Sequence, residues 1–247
     1  MPDLFNIGTN KQGLIVYGGE SSTDYGIVVS EAPAFDKAKK KVRVFTVPGR
    51  NGAVVFDEGS YEDTTRNYKV WVAKDKEETL PEVVDAMSSW LYSKSGYVRL
   101  EDSFEPDIFR LAYYNGGTEV TNRMLQFGET TLPFICRAER FYKDAEQERT
   151  VSNGDKLYNP TRFESKPLIH IEGSGSVSIS IQGVTMTATI SDYINIDCDT
   201  MNAYRLPSEN KNNTISGTFP TIKSGTNTIA TTGTVTKVTI VPRYFTI

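Results

Sequence analysis

A single histidine, two cysteines and the lack of any apolar run close to membrane-spanning length set the first limits on this 247-residue chain. His170 sits between Ile169 and Ile171 with no second imidazole or thiol beside it, so it reads as a structural or surface residue of a strand. Zinc and catalytic-thiol sites need ligands at short, repeated spacing; Cys136 and Cys198 lie far apart, each in an apolar run. Two free buried thiols in a reducing compartment are expected, with a bridge between them as the alternative. A transmembrane helix needs about 18 or more apolar residues, and none is present. The opening MPDLFNIGTNKQG lacks the basic region and apolar core of a secretory signal. No membrane insertion and no export by the usual route are expected.

A broad basic field is missing too. Net charge is -4, with 19 Lys and Arg against 24 Asp and Glu over residues 1–150 and 8 against 7 over residues 151–247. Phosphate-backbone binding draws on clustered positive charge. The one basic block, Lys37, Lys39, Lys40 and Lys41, abuts Glu31 and Asp36 and reads as a solvated edge or an interface rim, so nucleic-acid readout is not expected. Glu101, Asp102, Glu105 and Asp107 crowd a loop with Pro106 and read as an acidic surface loop rather than a catalytic pair. Asp192, Asp197 and Asp199 lack the spacing of a calcium loop, and Gly173, Gly175 and Gly183 precede no helix that could seat a phosphate. No catalytic, metal or cofactor residue is singled out, and an enzyme is not expected.

What is present is mostly β signal, enriched by 13 tyrosines and 12 phenylalanines. The runs Val42–Val47 and Ala53–Phe56 are joined through Pro48-Gly49-Arg50-Asn51-Gly52, which predicts a hairpin with Arg50 exposed at an irregular tip. Short strands are expected at Leu14–Tyr17, Ile27–Val29, Tyr97–Leu100, Ile108–Tyr114, Arg123–Phe127 and Thr131–Arg137. Tyr68, Val70 and Val72 alternate with Lys69, Trp71 and Ala73 as in a half-buried strand. One helix is expected over Leu80–Lys94: Thr79 and Glu82 form a capping-box pattern, and Val83, Met87, Trp90 and Leu91 make one apolar stripe. Lys94 is placed to meet the negative end of the helix dipole, with Gly96 as a stop.

Composition changes near Tyr142. Residues 146–158 read as a polar linker between a β-rich domain at 1–145, with its helix at about 79–95, and an all-β domain at 159–247. In the latter, Ile169 and Ile171, then Val177, Ile179 and Ile181 after a Gly/Ser break, then Val184, Met186, Ala188 and Ile190, alternate as in a two-sheet sandwich.

Several segments in this order resemble the distal tail protein family of long-tailed, non-contractile phages and prophages. They are STDYGI (22–27), VPGRNG (47–52) with GSY (59–61), FICR (134–137) leading to Phe141 and Tyr142, Asn159-Pro160, IHIEGSG (169–175), GTFPTIKSG (217–225) and IVPRY (240–244). The correspondence spans roughly residues 14–244; Thr161 stands where relatives often have glycine, and Tyr244 lies in an ending that usually contains Trp. The resemblance implies a mainly β protein with an N-terminal ring-forming domain and a C-terminal galectin-like or carbohydrate-module-like sandwich. It implies a hexameric ring, single or as two stacked rings, at the virion tail tip, assembled in the bacterial host cytoplasm. Its partners are then the tail tube protein, the tail-associated hub protein and a receptor-binding protein. Within that frame Val47, Pro48, Gly49, Arg50, Asn51 and Gly52 are the expected inter-subunit hairpin, since closed rings need complementary patches and arginine can pair bidentately with a neighbour's carboxylate. The alternative function is adhesion to host cell-wall polymer through the sandwich. Its candidate glycan contacts are Tyr193, Asn195, Asp197 and Tyr204, of which the first three share an expected strand face.

Overall fold

A computed structural model describes residues 13–73, 79–117, 121–124 and 127–247. The chain divides after Arg140 into two units. In the first, β1 (Ile15–Tyr17), β2 (Glu20–Ser21) and β3 (Ile27–Val29) are followed by a hairpin of β4 (Lys40–Phe45) and β5 (Val54–Tyr61). β6 (Thr64–Ala73), the helix α1 (Leu80–Tyr92), β7 (Val98–Asp102), β8 (Ile108–Tyr114), β9 (Thr121–Met124) and β10 (Phe127–Tyr142) complete it. The main sheet runs β2-β1-β7-β8-β10-β6-β3, with β9 also on β10, while β4 and β5 form a separate two-stranded sheet. The other expected strands are found; the stretch expected as one strand at Arg123–Phe127 instead spans the end of β9 and the start of β10, which pair antiparallel, and its residues 125 and 126 lie outside the described residues.

The alternation read from the sequence sets the sheet's faces. Tyr68, Val70 and Val72 are fully buried while Trp71 is half exposed. Across the β6–β10 register, Tyr68 meets Leu132 and Arg66 meets Phe134, so these four side chains share the core face. The helix stripe Val83, Met87, Trp90 and Leu91 is buried in the same cluster. Trp90 fixes its position in two ways: its indole N–H donates to the Tyr17 carbonyl at 3.2 Å, and its ring stacks on Tyr25 at 4.9 Å. The Glu82 carboxylate accepts from the Thr79 backbone N–H and hydroxyl, each at 2.8 Å, closing the helix start. Lys94 does not join the helix end: α1 stops at Tyr92 with Ser93 as its cap, and the ammonium pairs with Glu20 on β2.

The second unit is an antiparallel sheet of β11 (Arg149–Val151), β12 (Lys156–Asn159), β13 (Leu168–Ile181), β14 (Val184–Ile190), β15 (Tyr193–Asp197), β16 (Asn202–Tyr204), β17 (Ile215–Gly217) and β18 (Gly225–Val241). Residues 146–158, expected as a linker, include β11 and β12, both paired with β18. Polar residues here occupy ladder positions, because an exposed sheet face takes charge as readily as a loop does. The break expected at Gly173–Ser176 does not end a strand. β13 passes through it, pairing first with β15 and then with β14, and its register on β18 shifts there. Glycine makes the passage possible: a Cβ on Gly173 would meet the Thr234 carbonyl oxygen at 2.2 Å, and one on Gly233 the Ser176 carbonyl oxygen at 2.3 Å. Ile169, Ile171, Ile179, Ile181, Ile194, Ile196, Ile229 and Ile240 are all essentially inaccessible and build the core. The described residues are mainly β with one α-helix, and the second unit is a closed antiparallel arrangement of the kind a sandwich requires.

Candidate assembly surface

The β4–β5 hairpin violates the usual rule for soluble ribbons, in which one face is apolar and the other wet. Register pairs Val44 with Val55 and Val42 with Asp57 on one face, and Phe45 with Val54 and Arg43 with Phe56 on the other. Both faces therefore carry large apolar side chains, and both meet solvent: Val44 is 60% exposed, Val55 61%, Phe45 54% and Phe56 60%. No third strand joins either edge among the described residues. The polar side chains pair within the ribbon, Lys40 with Asp57 and Arg43 with Glu58. An exposed apolar ribbon of this kind marks an interaction surface.

At its tip the six expected residues come together. Val47 is 42% exposed. Pro48 and Gly49 form the turn, with the Arg50 N–H donating to the Val47 carbonyl at 3.2 Å, and Gly49 and Gly52 take φ of +77° and +82°. Arg50 is exposed and makes no ion pair among the described residues. The strand residues Val44, Phe45, Val55 and Phe56 were not singled out from sequence. The available signal was the unbroken VVF of Val54–Phe56, since a strand with no polar alternation asks for cover on both sides.

The acidic loop is where expectation fails. Asp102 is buried and Glu105 partly so, and three arginines converge on them. Asp102 Oδ2 accepts from Arg66 Nη2 at 2.9 Å and from the Tyr68 hydroxyl at 2.6 Å, while Glu105 pairs with Arg110 and Arg140 and lies 3.2 Å from Arg66. Burial pushes both carboxyl pKa values upward; Arg66 with the Tyr68 hydroxyl at Asp102, and Arg110 at Glu105, outweigh it and hold both below their ordinary values. Asp107, by contrast, is exposed as expected. This constellation is structural: every charge in it is spent on a neighbour, as a buried charge requires.

In the second unit Tyr193, Asn195 and Asp197 alternate on one face of β15, and Tyr204 joins them because it lies opposite Asn195 in the β15–β16 register. Three of the four are already engaged. Asn195 bonds His170 Nδ1 at 2.8 Å and the Arg205 carbonyl at 3.1 Å; Asp197 binds Arg243 at 2.7 Å. The Tyr193 ring lies 5.4 Å from both the His170 ring and the Arg205 guanidinium. Thr161, the departure from glycine, is buried, and its N–H donates to the Asn159 side-chain carbonyl at 2.9 Å. Both cysteines are free and buried, and burial raises their thiol pKa values to about 11 for Cys136 and about 12 for Cys198. Among the described residues no three or more His, Cys, Asp or Glu side chains gather as a metal site, and no helix is long and apolar enough to cross a membrane.

Comparison with known proteins places this geometry. Residues 22–136, which contain the whole hairpin, match the family model of the phage tail protein RIFT-related domain. The particular likeness is to a distal tail protein. The Dit (gp 19.1) protein of phage SPP1, described as a paradigm of the hub adsorption apparatus in phages infecting Gram-positive bacteria, shares the fold with a TM-score of 0.75 at 17% identity, over 95% of this chain and 99% of that one. The resemblance drawn from the sequence is thereby borne out. A chain of the phage p2 baseplate, in its activated conformation with strontium, aligns at a TM-score of 0.48 and 10% identity over 93% of this chain and 97% of that one. A search of curated protein sequences found no match.

Proposed function

We propose that this chain is a structural protein of a phage tail tip that closes into a hexameric ring through its first unit. In this reading it joins the tail tube above to the tail-associated hub below, and its second unit is a peripheral, galectin-like sandwich near the receptor-binding apparatus. Such proteins assemble in the host cytoplasm and act at the virion tail tip. The observation that carries the proposal is the β4–β5 ribbon, apolar and exposed on both faces, inside a domain of phage tail type. A ring subunit must offer a projecting patch and a different receiving patch, and a ribbon needing cover on two sides suits the projecting one. Arg50 at its tip supplies a fork for a neighbour's carboxylate, which lysine does not reproduce.

Light scattering behind a sizing column, with negative-stain images of the same peak, tests this. Six copies of 27.5 kDa give about 165 kDa and a closed annulus, and stacked rings give twice that. Phe45→Lys with Phe56→Lys should abolish the ring and leave a folded single chain. Arg50→Ala should weaken closure by about 1.5–3 kcal/mol per interface, the worth of a charge-assisted hydrogen bond, with Arg50→Lys only partly restoring it. A wild-type chain that stays at single-chain mass throughout a concentration series, or a double variant that still forms the annulus, overturns the proposal.

A further inference from the structure

A cleft of about 250 Å³ opens in the second unit, between the end of β14, the start of β15 and the segment after β16. Thr189, Ser191 and Thr214 line it with hydroxyls, Tyr193 gives a phenol ring, and Arg205 and Lys211 give cations. Each cation comes with a carboxylate. Arg205 pairs with Asp192 and lies 3.9 Å from Glu209, and Lys211 binds Glu209 at 2.7 Å. Arg205 Nε is buried and meets no acceptor, so a guanidinium that turns toward a ligand oxygen gives up no bond at that atom.

The charge balance selects the ligand. A phosphate or carboxylate entering here would meet two cations already paired with Asp192 and Glu209, and those carboxylates behind them would offset much of the attraction. A hydroxyl-bearing ring has no such conflict, since its hydroxyls can donate to the Thr189, Ser191 and Thr214 hydroxyls and accept from arginine or lysine. The volume lies under the range of about 300–1,000 Å³ usual for drug-sized ligands and suits one sugar ring. With the Arg205 guanidinium over the Tyr193 ring and the His170 ring tilted beside it, Tyr193 is already engaged and is not an open platform for stacking. We propose that this cleft binds a single neutral sugar unit by hydrogen bonding. The site shares Tyr193 with the strand face described above, but Asn195, Asp197 and Tyr204 do not line it. It lies wholly within the second unit, so it stands whether or not the first unit closes a ring.

Saturation-transfer NMR on the full chain, with glucose, galactose, N-acetylglucosamine, inorganic phosphate and glycerol phosphate as separate probes, decides the matter. At least one neutral sugar should bind saturably with Kd on the order of 1 mM, and Lys211→Ala and Thr214→Val should each weaken it several-fold without changing the thermal melt. Ser191→Ala, at an exposed hydroxyl, is the further variant should either of those melt early. Arg50→Ala should leave binding unchanged. If sugar fragments of host wall polymer bind more tightly than the free sugars, the natural ligand is a terminal residue of that polymer; equal binding points to free sugar. No saturation by any sugar, phosphate binding tighter than every sugar, or binding indifferent to all three cleft variants would overturn the proposal.

Discussion

Asp102 Oδ2 accepts from the Tyr68 hydroxyl and two nitrogens of Arg66, where water hardly reaches. Removing its charge leaves Arg66 buried with too little to bind, so Asp102→Asn should cost about 3–5 kcal/mol, as for a broken buried pair, in a denaturant titration of unfolding. The pH dependence follows from the same contacts. Folding depresses the Asp102 and Glu105 pKa values, so their contribution is complete above the unfolded carboxyl range of about 3.9–4.3 and is lost as the pH falls through the lower folded values. Thermal melts should therefore hold steady on this account from neutral pH to near 5 and fall steeply below 4, and Asp102→Asn should flatten that fall. None of this was legible in the sequence. Asp102 looks like any acidic loop residue until Arg66, 36 positions away, and Arg140, 35 positions from Glu105, are brought to it by the sheet.

Among the elements, α1 was legible because its signals are local: a stripe at helical spacing, a cap and a stop within one short stretch. Its energetics are as local. Met87 is fully buried, and Met87→Ala should lower unfolding stability by about 2–5 kcal/mol through lost burial and the cavity left behind, read as a shift in denaturant midpoint with unchanged slope. Strand limits were harder to see. β13 was expected as two strands because glycine and serine interrupt its apolar alternation, yet those glycines mark where β18 crosses close, a long-range fact. The supposed linker failed similarly: Lys156 to Asn159 are held by pairing with Thr228 to Gly225, some seventy residues on. Tyr204 joined the β15 face only through register, which no single-strand pattern reports.

For the whole molecule, the two-unit β architecture was readable from composition and alternation, while the proposed assembly surface was readable only in part. Pro-Gly and Asn-Gly marked the hairpin tip, but that its flanks stay uncovered depends on every other element packing without them. The same isolation gives the ribbon a distinctive vulnerability. With no neighbouring strand among the described residues to share its ladder and little burial to hold it, its opening free energy should lie at the low end of the range spanned by local unfolding. A protease of aromatic specificity should therefore nick the unassembled chain at Phe45 or Phe56 well before it reaches Phe134 in the core, and the proposed ring should protect both sites. Mass spectrometry of a brief chymotrypsin digest, run on single chains and on rings, reads this directly; equal cleavage in both states would argue against a buried ribbon. On the proposed ring, surplus copies would then carry a built-in expiry, since the strip proposed to join a neighbour is also readily cut when no neighbour arrives.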